Sequence, residues 1–255
     1  MNAELDKATR ILTDARSLVV SSGAGMSRDS GVPTFRDAMT GLWSRFDPHD
    51  LANAQAFMRN PARVFGWYVW RWNLVHRAEP HAGYRALVRM EKAFDEFLVV
   101  TQNVDGFHRR SGSSDVVELH GSLEAFRCFD SGHPFDSTGL TGLEAGDDGE
   151  ISPPRCSLCG SMIRPGVVWF GEMLPRDAVE RAWDAVGRCD ALLIVGTSAV
   201  VYPAAELPSV ALRRGCPVIE VNPSSTPITD DVDIWIPERA EVALPALADA
   251  LTASK

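Results

Sequence analysis

Residues 18–36 read LVVSSGAGMSRDSGVPTFR, and this stretch decides how the rest of the chain is interpreted. Its first residues, Leu18–Val20, form the apolar, β-branched run that is typical of a buried parallel strand. Gly23-Ala24-Gly25 follows directly, where small residues let the chain turn sharply and let backbone N–H groups approach an anion. The stretch predicts a strand, a turn and a following helix N-terminus that hold a phosphate; a tight turn without a ligand is the alternative.

The second half of the stretch, residues 30–36, predicts a loop. Its sequence, SGVPTFR, contains too many turn-forming residues to continue a helix. This loop carries a large aromatic side chain, Phe35, next to the guanidinium of Arg36.

The composition indicates a soluble globular protein. A chain of 255 residues with 45% hydrophobic and 23% charged residues can bury one large core, or one core and a small satellite domain. No apolar run approaches the roughly 20 residues of a membrane helix, and the N-terminal residues lack the pattern of a signal peptide. We therefore expect a cytoplasmic protein with no membrane partner.

The net charge and the cysteine content limit which classes of partner and which cellular compartment are expected. A formal net charge of −9 argues against nucleic acid as a partner and favours basic, lysine-bearing ones. The five cysteines are odd in number and unevenly spaced, which argues against a disulfide framework and agrees with a reducing compartment. The sequence does not predict an oligomeric state.

Strands and helices alternate along most of the chain. Strands are expected at residues 18–20, 97–101, 116–119, 191–195, 217–221 and 233–236. Helices are expected at residues 3–15, 61–78, 81–93, 176–188, 203–214 and 240–252. This order predicts an α/β fold with a Rossmann-like, doubly wound parallel sheet.

Two segments interrupt the alternation and predict a small inserted domain. Residues 37–80 are rich in aromatic residues without a strand-like run, and they predict a helical module. Residues 121–164 are rich in Gly, Asp, Ser and Pro, contain three cysteines, and predict a cysteine-bearing loop module. The predicted large domain then comprises residues 1–36, 81–120 and 165–255.

Small or polar residues follow five of the predicted strands. Because ligands of open parallel sheets bind beyond the carboxyl ends of the strands, these residues are the candidates for a binding site. They are Gly23-Ala24-Gly25, Gln102-Asn103-Val104-Asp105, His120-Gly121, Gly196-Thr197-Ser198 and Asn222. Polar residues that merely end strands are the alternative at any single position, but five such coincidences favour a common site.

The stretch 18–36 resembles the signature of the sirtuins, the NAD-dependent protein-lysine deacylases. Further blocks resemble sirtuin blocks in sirtuin order, and the resemblance covers nearly the whole chain. They are Thr101–Asp105, Leu119–Gly121, Val168–Glu172, Gly196–Ser198 and Val201–Ala204. Two positions depart from the pattern: Asp105 is followed by Gly106-Phe107-His108, and Ser224 replaces an acidic residue, which bears on how the adenine ribose is held.

The resemblance implies NAD as the cofactor and assigns residues to it. Gly23, Ala24 and Gly25 would hold the pyrophosphate, and Phe35 and Arg36 would cover the nicotinamide ribose. Gln102, Asn103 and Asp105 would surround the nicotinamide and its ribose, and Ser198 and Asn222 would contact the adenosine half. Gly196, Thr197 and Ala240 complete the implied NAD-binding set.

The same resemblance implies acylated lysine-containing proteins or peptides as substrates. The peptide would be held as an added strand between two segments. The implied contact residues are Val168, Trp169, Phe170, Gly171, Glu172, Val201 and Tyr202.

His120 is the candidate catalytic base. An imidazole with a pKa near neutrality can accept a proton from a ribose hydroxyl at physiological pH, whereas a packed, hydrogen-bonded core histidine is the alternative. The resemblance implies that Asn103 and Asp105 complete the catalytic set. The implied products are free lysine, nicotinamide and O-acyl-ADP-ribose.

Three cysteines suggest a structural zinc site. Cys156 and Cys159 have the Cys-x2-Cys spacing of half a site, but the other half supplies only Cys128. Either His133 provides a fourth ligand or the loop has dispensed with zinc. Cys189 and Cys216 flank core strands and are interpreted as small buried hydrophobes.

Tyr68 and Arg71 are the candidates for acyl-group selection. Residues three apart share a helix face, so both side chains project together, although an aromatic core-facing helix with Arg71 extending to solvent is the alternative. Together with Thr34, this Tyr-x-x-Arg pair resembles class III sirtuins, whose pocket accepts succinyl or malonyl lysine.

Two other functions are compatible with the predicted fold. An NAD glycohydrolase or ADP-ribosyltransferase would have no need of the peptide-binding segments, which favour the deacylase. A non-catalytic NAD-binding module would have no need of Asn103, Asp105 and His120 together.

Overall fold

The computed structural model describes residues 2–32, 47–140, 143 and 149–254, so the predicted site residues Thr34, Phe35 and Arg36 lie outside the described residues. The helices are α1 (Asn2–Asp14), α2 (Pro48–Leu51), α3 (Ala54–Arg59), α4 (Pro61–Arg77), α5 (Ala82–Glu91), α6 (Phe107–Arg110), α7 (Arg176–Arg188), α8 (Leu207–Arg213) and α9 (Ala240–Ser254). The strands are β1 (Ser17–Ser22), β2 (Glu96–Thr101), β3 (Val116–Glu118), β4 (Gly121–Cys128), β5 (Pro134–Phe135), β6 (Ile163–Val167), β7 (Ala191–Val195), β8 (Val218–Val221) and β9 (Ile234–Ile236). None of these helices combines the length and the apolar character that crossing a membrane requires.

The main sheet is parallel and has the strand order β3-β2-β1-β7-β8-β9. The order reverses at β1, which pairs with β2 on one side and with β7 on the other. Ligands of doubly wound sheets bind at such a reversal. The predicted α/β, Rossmann-like sheet is therefore confirmed.

The carboxyl ends of the six strands lie at one level. Ser22 is in register with Thr101 and with Val195, and the same level continues outward to the remaining strands. The outer pairs in register are Thr101 with Glu118, Val195 with Val221, and Val221 with Ile236. The residues that follow these strands therefore emerge along one edge.

Each central strand is apolar on both faces because helices cover both sides of the sheet. Val19 and Leu192 contribute to the core beneath α7 and α8, whereas Val20 and Leu193 contribute to the core beneath α1, α5 and α9. This explains why the strand sequences are continuous apolar runs without alternation. The second core extends into α4 and the cysteine-bearing module.

The chain after β1 differs from the prediction of a helix. Two short 3₁₀ turns, Ala24–Met26 and Arg28–Ser30, follow the strand, and Gly31 then adopts a left-handed conformation with a φ of 81°. The physical reason is local: Ser27, Asp29 and Ser30 favour turns because their side chains compete for backbone hydrogen bonds. The N-terminus of an α-helix is thus not available at this position.

Helix α4 agrees with its prediction at both ends. Asn60 caps it by accepting a hydrogen bond from the Arg63 N–H at 3.1 Å, and Pro61 occupies the first turn, where a missing N–H costs nothing. The helix ends at Arg77, one residue before the predicted end.

The cysteine-bearing module contains a sheet in addition to loops. Strands β5, β4 and β6 form an antiparallel sheet in that order. The turn-forming residues that predicted a loop lie mainly between β4 and β6, which explains the difference. Strand β6 crosses the predicted boundary at residue 164, and the predicted domain limits remain a prediction.

Glycine is required where the loops after β1 and β7 meet. The Gly25 N–H donates to the Gly196 carbonyl oxygen at 2.7 Å. A Cβ on Gly25 would lie 2.7 Å from that oxygen, and a Cβ on Gly196, whose φ is +57°, would lie 2.3 Å from the Met26 nitrogen. Both neighbours are backbone atoms, so neither can move aside without displacing its loop.

We expect Gly196→Ala to lower the free energy of unfolding by about 1–3 kcal/mol, because it adds a backbone clash to a strained φ. Gly187→Ala is the matched control: apart from the backbone of α7 and the two chain neighbours, no atom of the described residues lies within 4 Å of its Cβ position, so alanine there should be neutral or stabilising by about 0.5–1 kcal/mol. Denaturant unfolding of both variants tests this. Equal unfolding midpoints would contradict the close packing of the two loops.

Candidate functional site

The residues that follow β2, β7 and β8 are joined by side-chain hydrogen bonds. Gln102 Nε2 donates to Thr197 Oγ1 at 3.1 Å, and Asn222 Nδ2 donates to the Thr197 carbonyl oxygen at 2.8 Å. Gly196 and Ser198 flank Thr197, and Ala240 is buried at the first turn of α9. The structure thus brings the predicted strand-end residues together along one edge of the sheet.

The loop after β1 leaves one backbone donor unused. The Gly23 and Gly25 N–H groups bond to the carbonyl oxygens of Val195 and Gly196. Ala24, in contrast, is exposed, and its N–H makes no hydrogen bond within the described residues. A free backbone N–H in a small-residue turn is the kind of donor that binds a phosphate oxygen.

Asn103 is fixed by its carboxamide nitrogen. Nδ2 donates both of its hydrogens, to the Gly23 carbonyl oxygen and to Ser27 Oγ, each at 2.9 Å. The Oδ1 atom makes no hydrogen bond in the described part of the chain. It is not fully enclosed by the protein, so a ligand can reach it. Asn103 therefore presents a fixed acceptor to the edge of the sheet.

Ser27 joins the candidate site through its hydrogen bonds, although the sequence analysis did not single it out. Its hydroxyl donates to Asp105 Oδ2 at 2.5 Å and lies 3.0 Å from the Tyr84 hydroxyl. Because Ser27 has one proton, which goes to Asp105, it must accept from both Asn103 and Tyr84. Ser27 belongs to the stretch 18–36, so the sequence offered a signal for it, whereas no local pattern marks Tyr84.

Asp105 is a buried carboxylate with internal partners. Oδ1 accepts from the Phe107 N–H at 2.9 Å, and Oδ2 accepts from Ser27. Burial raises the pKa of Asp105, while the hydrogen bonds from Ser27 and Phe107 and the charge of Arg71 oppose that rise. These contacts fix the carboxylate directly beside Asn103.

His120 has a defined tautomer. Nδ1 lies 2.9 Å from the Gln102 carbonyl oxygen, and because a carbonyl oxygen only accepts, Nδ1 carries the proton. The Nε2 lone pair has no partner among the residues that the structure describes. Burial lowers the pKa of His120, although the bond to Gln102 opposes the shift. The ring is therefore neutral at pH 7 and can accept a proton at Nε2.

A second histidine, His108, is enclosed and unsuited to proton transfer with a ligand. Its Nε2 lies 2.8 Å from Ser22 Oγ, and its Nδ1 is buried without a partner among the residues that the structure describes. Burial lowers the pKa of His108 to about 3, so the ring stays neutral. The contrast with His120 favours His120 as the reactive histidine of this edge.

Tyr68 and Arg71 lie on the buried side of α4. The Tyr68 hydroxyl accepts from Trp169 Nε1 at 2.9 Å, so its own proton remains available for donation, and burial raises the pKa of this hydroxyl. The Arg71 guanidinium lies 5.3 Å from the Trp67 ring centroid, and it forms no ion pair or hydrogen bond within the described ranges. Burial lowers the pKa of Arg71, and Tyr68 and Asp105 oppose that shift. Arg71 is thus a half-buried cation that forms no ion pair in the described residues, and Asp105 is the acidic group that acts on its charge.

The predicted peptide-binding segments combine buried anchors with exposed apolar side chains. The Val168 N–H donates to the His120 carbonyl oxygen at 2.8 Å, and this bond places the first segment beside the candidate base. Trp169 is buried, whereas Phe170 is 49% exposed and Tyr202 is 71% exposed. Exposed large apolar side chains next to a cleft are typical of a site that binds another chain.

The remaining members of these segments have distinct environments. Gly171 has a φ of 86°, Val201 is exposed, and the Glu172 carboxylate contacts Arg164 within the protein. The exposed side chains of the segments therefore remain available to a peptide, while the Glu172 side chain and the backbone N–H groups of Val168 and Phe170 are used internally.

Three cysteines and one histidine converge in the cysteine-bearing module. The Cys128, Cys156 and Cys159 sulfur atoms and a His133 ring nitrogen all lie within 4.8 Å of one another. His133 Nδ1 lies 3.6 Å from Cys128 Sγ and 3.6 Å from Cys156 Sγ, and Cys159 Sγ lies 3.6 Å from Cys128 Sγ. The structure therefore supplies His133 as the fourth member that the cysteine spacing left open.

The geometry of this cluster fits zinc. Ligand atoms bound tetrahedrally to zinc at about 2.0–2.3 Å lie about 3.5–3.8 Å apart, which matches the three separations of 3.6 Å. A hydrogen bond from the Leu158 backbone lowers the pKa of Cys156 to about 6, which favours the metal-binding thiolate. Cys189 and Cys216 do not belong to this cluster. Both are buried, and their sulfur atoms lie 3.7 Å apart.

We expect the purified protein to contain about one zinc ion per chain, and His133→Ala to lower its zinc affinity by at least about tenfold with a loss of thermal stability. His133→Cys should retain zinc because a thiolate restores the fourth ligand. Elemental analysis and thermal unfolding with and without a chelator measure both effects, and Cys216→Ala serves as the control. Zinc content unchanged by His133→Ala would remove His133 from the ligand set.

Comparison with known proteins agrees with this geometry. The model of the Sir2 family matches residues 23–203. An NAD-dependent protein deacylase of Mycobacterium tuberculosis is 50% identical over 236 residues, which cover 92% of this chain and 98% of that protein.

Two solved structures share the fold. The structure of a Sir2 homologue in complex with NAD has a TM-score of 0.87 and 39% identity, covering 98% of this chain and 95% of that one. A Sir2 variant with a deacetylated p53 peptide and 3'-O-acetyl ADP-ribose has a TM-score of 0.80 and 29% identity, covering 98% of this chain and 97% of that one. Together with the strand-end site and the zinc-like cluster, these matches show that the chain belongs to the Sir2 family, the sirtuins.

Proposed function

We propose that this chain, an NAD-dependent protein deacylase of the Sir2 family, removes succinyl and malonyl groups from protein lysines in preference to acetyl groups. The observation that carries the acyl preference is Arg71, a half-buried guanidinium that forms no hydrogen bond or ion pair within the described residues and lies one helical turn from Tyr68. The products are free lysine, nicotinamide and O-acyl-ADP-ribose.

The NAD-binding residues are those that the register brings to the edge of the sheet. The free N–H of Ala24 and the close approach of Gly23 and Gly25 to the β7 loop suit a pyrophosphate, and Asn222 suits the adenosine half. Bound NAD supplies the glycosidic bond that releases nicotinamide and the ribose that receives the acyl group. We also assign Phe35 and Arg36 to NAD, although they lie outside the described residues.

His120 is the proposed general base. The Gln102 carbonyl oxygen holds the proton on Nδ1, so Nε2 is free to accept the proton of a ribose hydroxyl. Asn103 Oδ1, fixed by two donated bonds on its nitrogen, positions a hydroxyl or a water molecule. Asp105 holds this arrangement through Ser27 and contributes negative charge beside the nicotinamide.

Acylated lysine peptides are the proposed substrates. The Val168 N–H bond to the His120 carbonyl oxygen places the first peptide-binding segment beside the base. The exposed side chains of Phe170, Val201 and Tyr202 then line the path of an added strand. The cytoplasmic location and the exclusion of nucleic-acid and membrane partners remain predictions from the sequence.

The acyl preference follows from the physics of an unpaired cation. A succinyl or malonyl carboxylate can accept a two-pronged contact from Arg71 and a hydrogen bond from Tyr68, whereas an acetyl group leaves both unpaired. Each charge-assisted bond contributes about 1.5–3 kcal/mol, so we expect a preference of about ten- to hundredfold in kcat/KM.

Incubation with NAD and an acylated peptide separates the deacylase from its alternatives. Mass spectrometry should detect O-acyl-ADP-ribose and the free-lysine peptide. Nicotinamide release with only ADP-ribose would indicate an NAD glycohydrolase, and ADP-ribose attached to protein would indicate a transferase. NAD binding without any turnover would indicate a non-catalytic module.

His120→Ala should retain NAD binding and thermal stability but lose at least about 10²-fold in kcat, because it removes the proton acceptor. In the wild type, kcat/KM should fall only below the ordinary histidine pKa of about 6.5, since burial lowers the pKa of His120 and the neutral ring is the active form. Measurement of kcat and kcat/KM over a pH series tests both effects. His76→Ala, which removes an exposed histidine, is the control. Turnover close to wild type in His120→Ala would contradict the assignment.

Arg71→Met should abolish the preference for succinyl over acetyl while retaining or raising deacetylation, because it removes a contact that no acetyl group uses. The measurement is kcat/KM for succinyl-, malonyl- and acetyl-lysine versions of one peptide. Arg77→Met, an exposed variant at the last turn of the same helix, is the control and should leave the ratios unchanged. An equal loss of all three activities in Arg71→Met would make Arg71 structural.

A further inference from the structure

Arg164 is a buried cation that the proposed chemistry does not use. It lies on β6 with 4% of its side chain exposed, and a guanidinium at this depth persists only if its charge and its N–H groups are paired. Both of its terminal nitrogens contact the Glu172 carboxylate. The remaining bonds go to the carbonyl oxygens of Val167 at 2.9 Å and Pro165 at 3.3 Å.

This cation closes the turn formed by residues 169–172. The Arg164 guanidinium carbon lies 3.4 Å from the Trp169 ring centroid. Glu172 Oε2, which accepts from Arg164, also accepts from the Trp169 N–H at 2.9 Å, and the Glu172 N–H donates to the Trp169 carbonyl oxygen at 3.0 Å. One buried side chain therefore holds both ends of the 169–172 turn.

The 169–172 turn is in contact with the proposed acyl pocket. Trp169 Nε1 donates to the Tyr68 hydroxyl at 2.9 Å, and the Phe170 N–H donates to the Ala52 carbonyl oxygen at 2.9 Å. A displacement of Trp169 would therefore change the orientation of the Tyr68 hydroxyl and the position of the exposed Phe170 side chain together.

The same strand that carries Arg164 also borders the zinc-like cluster. Ile163 is in register with Cys128, and the Phe129 N–H donates to the Met162 carbonyl oxygen at 2.8 Å. The Phe129 ring lies 6.0 Å from the Arg164 guanidinium carbon. The cluster and the turn are thus connected through two consecutive residues of β6.

We propose that Arg164 is a positioning residue for the acyl-lysine substrate. It fixes the 169–172 turn and the Tyr68 hydroxyl, and through β6 it makes substrate binding depend on the cysteine-histidine cluster. The proposed NAD site lies along the ends of β1, β2, β7 and β8, and Arg164 contacts none of its described residues. The inference rests on the proposed function, because it concerns how the same substrate is held.

The direct test is Arg164→Lys, which keeps the charge but loses the two-pronged contact and the flat stack on Trp169. We expect KM for a succinyl-lysine peptide to rise about tenfold, while KM for NAD and kcat change less than about twofold. The dissociation constant of a fluorescently labelled succinyl peptide, measured by anisotropy without turnover, should rise in parallel. Arg176→Met, which removes an exposed arginine of α7, is the matched control and should behave as wild type.

Four outcomes would overturn the proposal. They are an equal rise in KM for NAD and peptide, a fall in kcat alone, an unchanged KM for peptide, or unchanged peptide binding. If Arg164→Lys does not fold, Phe129→Leu removes the ring beside the guanidinium and should raise KM for peptide in the same direction; an unchanged value would also overturn the proposal. A wild type that binds peptide but does not deacylate it would refute the proposed function, not the role of Arg164 in binding.

The dependence on the cluster has its own test. A chelator should raise the peptide dissociation constant of the wild type and have a smaller further effect on Arg164→Lys, because both changes act on the same turn. If the effects of the chelator and of Arg164→Lys on the peptide dissociation constant are fully additive, the cluster acts independently of Arg164, and the proposed dependence is overturned.

Discussion

The backbone contact between the loops after β1 and β7 is the constraint on which the site depends. The Gly25 N–H to Gly196 carbonyl bond of 2.7 Å holds the two strand ends together at the point where the strand order reverses. Only glycine allows this approach, and the exposed Ala24 between the two glycines keeps an N–H without a hydrogen bond in the described residues. Asn103, bonded to the Gly23 carbonyl oxygen, takes its position from the same loop. The fold and the candidate chemistry therefore share one set of backbone atoms.

Comparison of two arginines clarifies how charge is used in this molecule. Arg164 is buried and its guanidinium is satisfied by Glu172, by carbonyl oxygens and by the Trp169 ring. Arg71 is desolvated too, but no carboxylate pairs with it in the described residues. Since both side chains occupy the same part of the protein, the difference is the reason to assign Arg164 to the architecture and Arg71 to a ligand.

Local pattern was sufficient for most of the fold, because buried parallel strands and amphipathic helices have distinctive sequences. Helix α7 and strand β7 have the bounds that the sequence predicted, Arg176–Arg188 and Ala191–Val195. The strand-end residues were also predictable, since the topology alone brings them to one edge. The parts that were missed depend on distant partners. Ser27 meets Tyr84 and Asp105 across 57 and 78 residues. The sequence named His133 as one of two alternatives for the cysteine site, because its approach to Cys156 depends on the pairing of β4 with β6.

The two edges of the main sheet in the described part of the chain are three-residue strands, β3 and β9. Strands of this length offer few unpaired backbone groups, so they are poor templates for recruiting an extended chain from outside. The proposed peptide path lies instead beside residues 168–172, where backbone geometry is held by buried contacts. Under the proposed function, the molecule would thus accept one foreign strand beside residues 168–172, while the short strands at the borders of its sheet resist strand addition and hence aggregation.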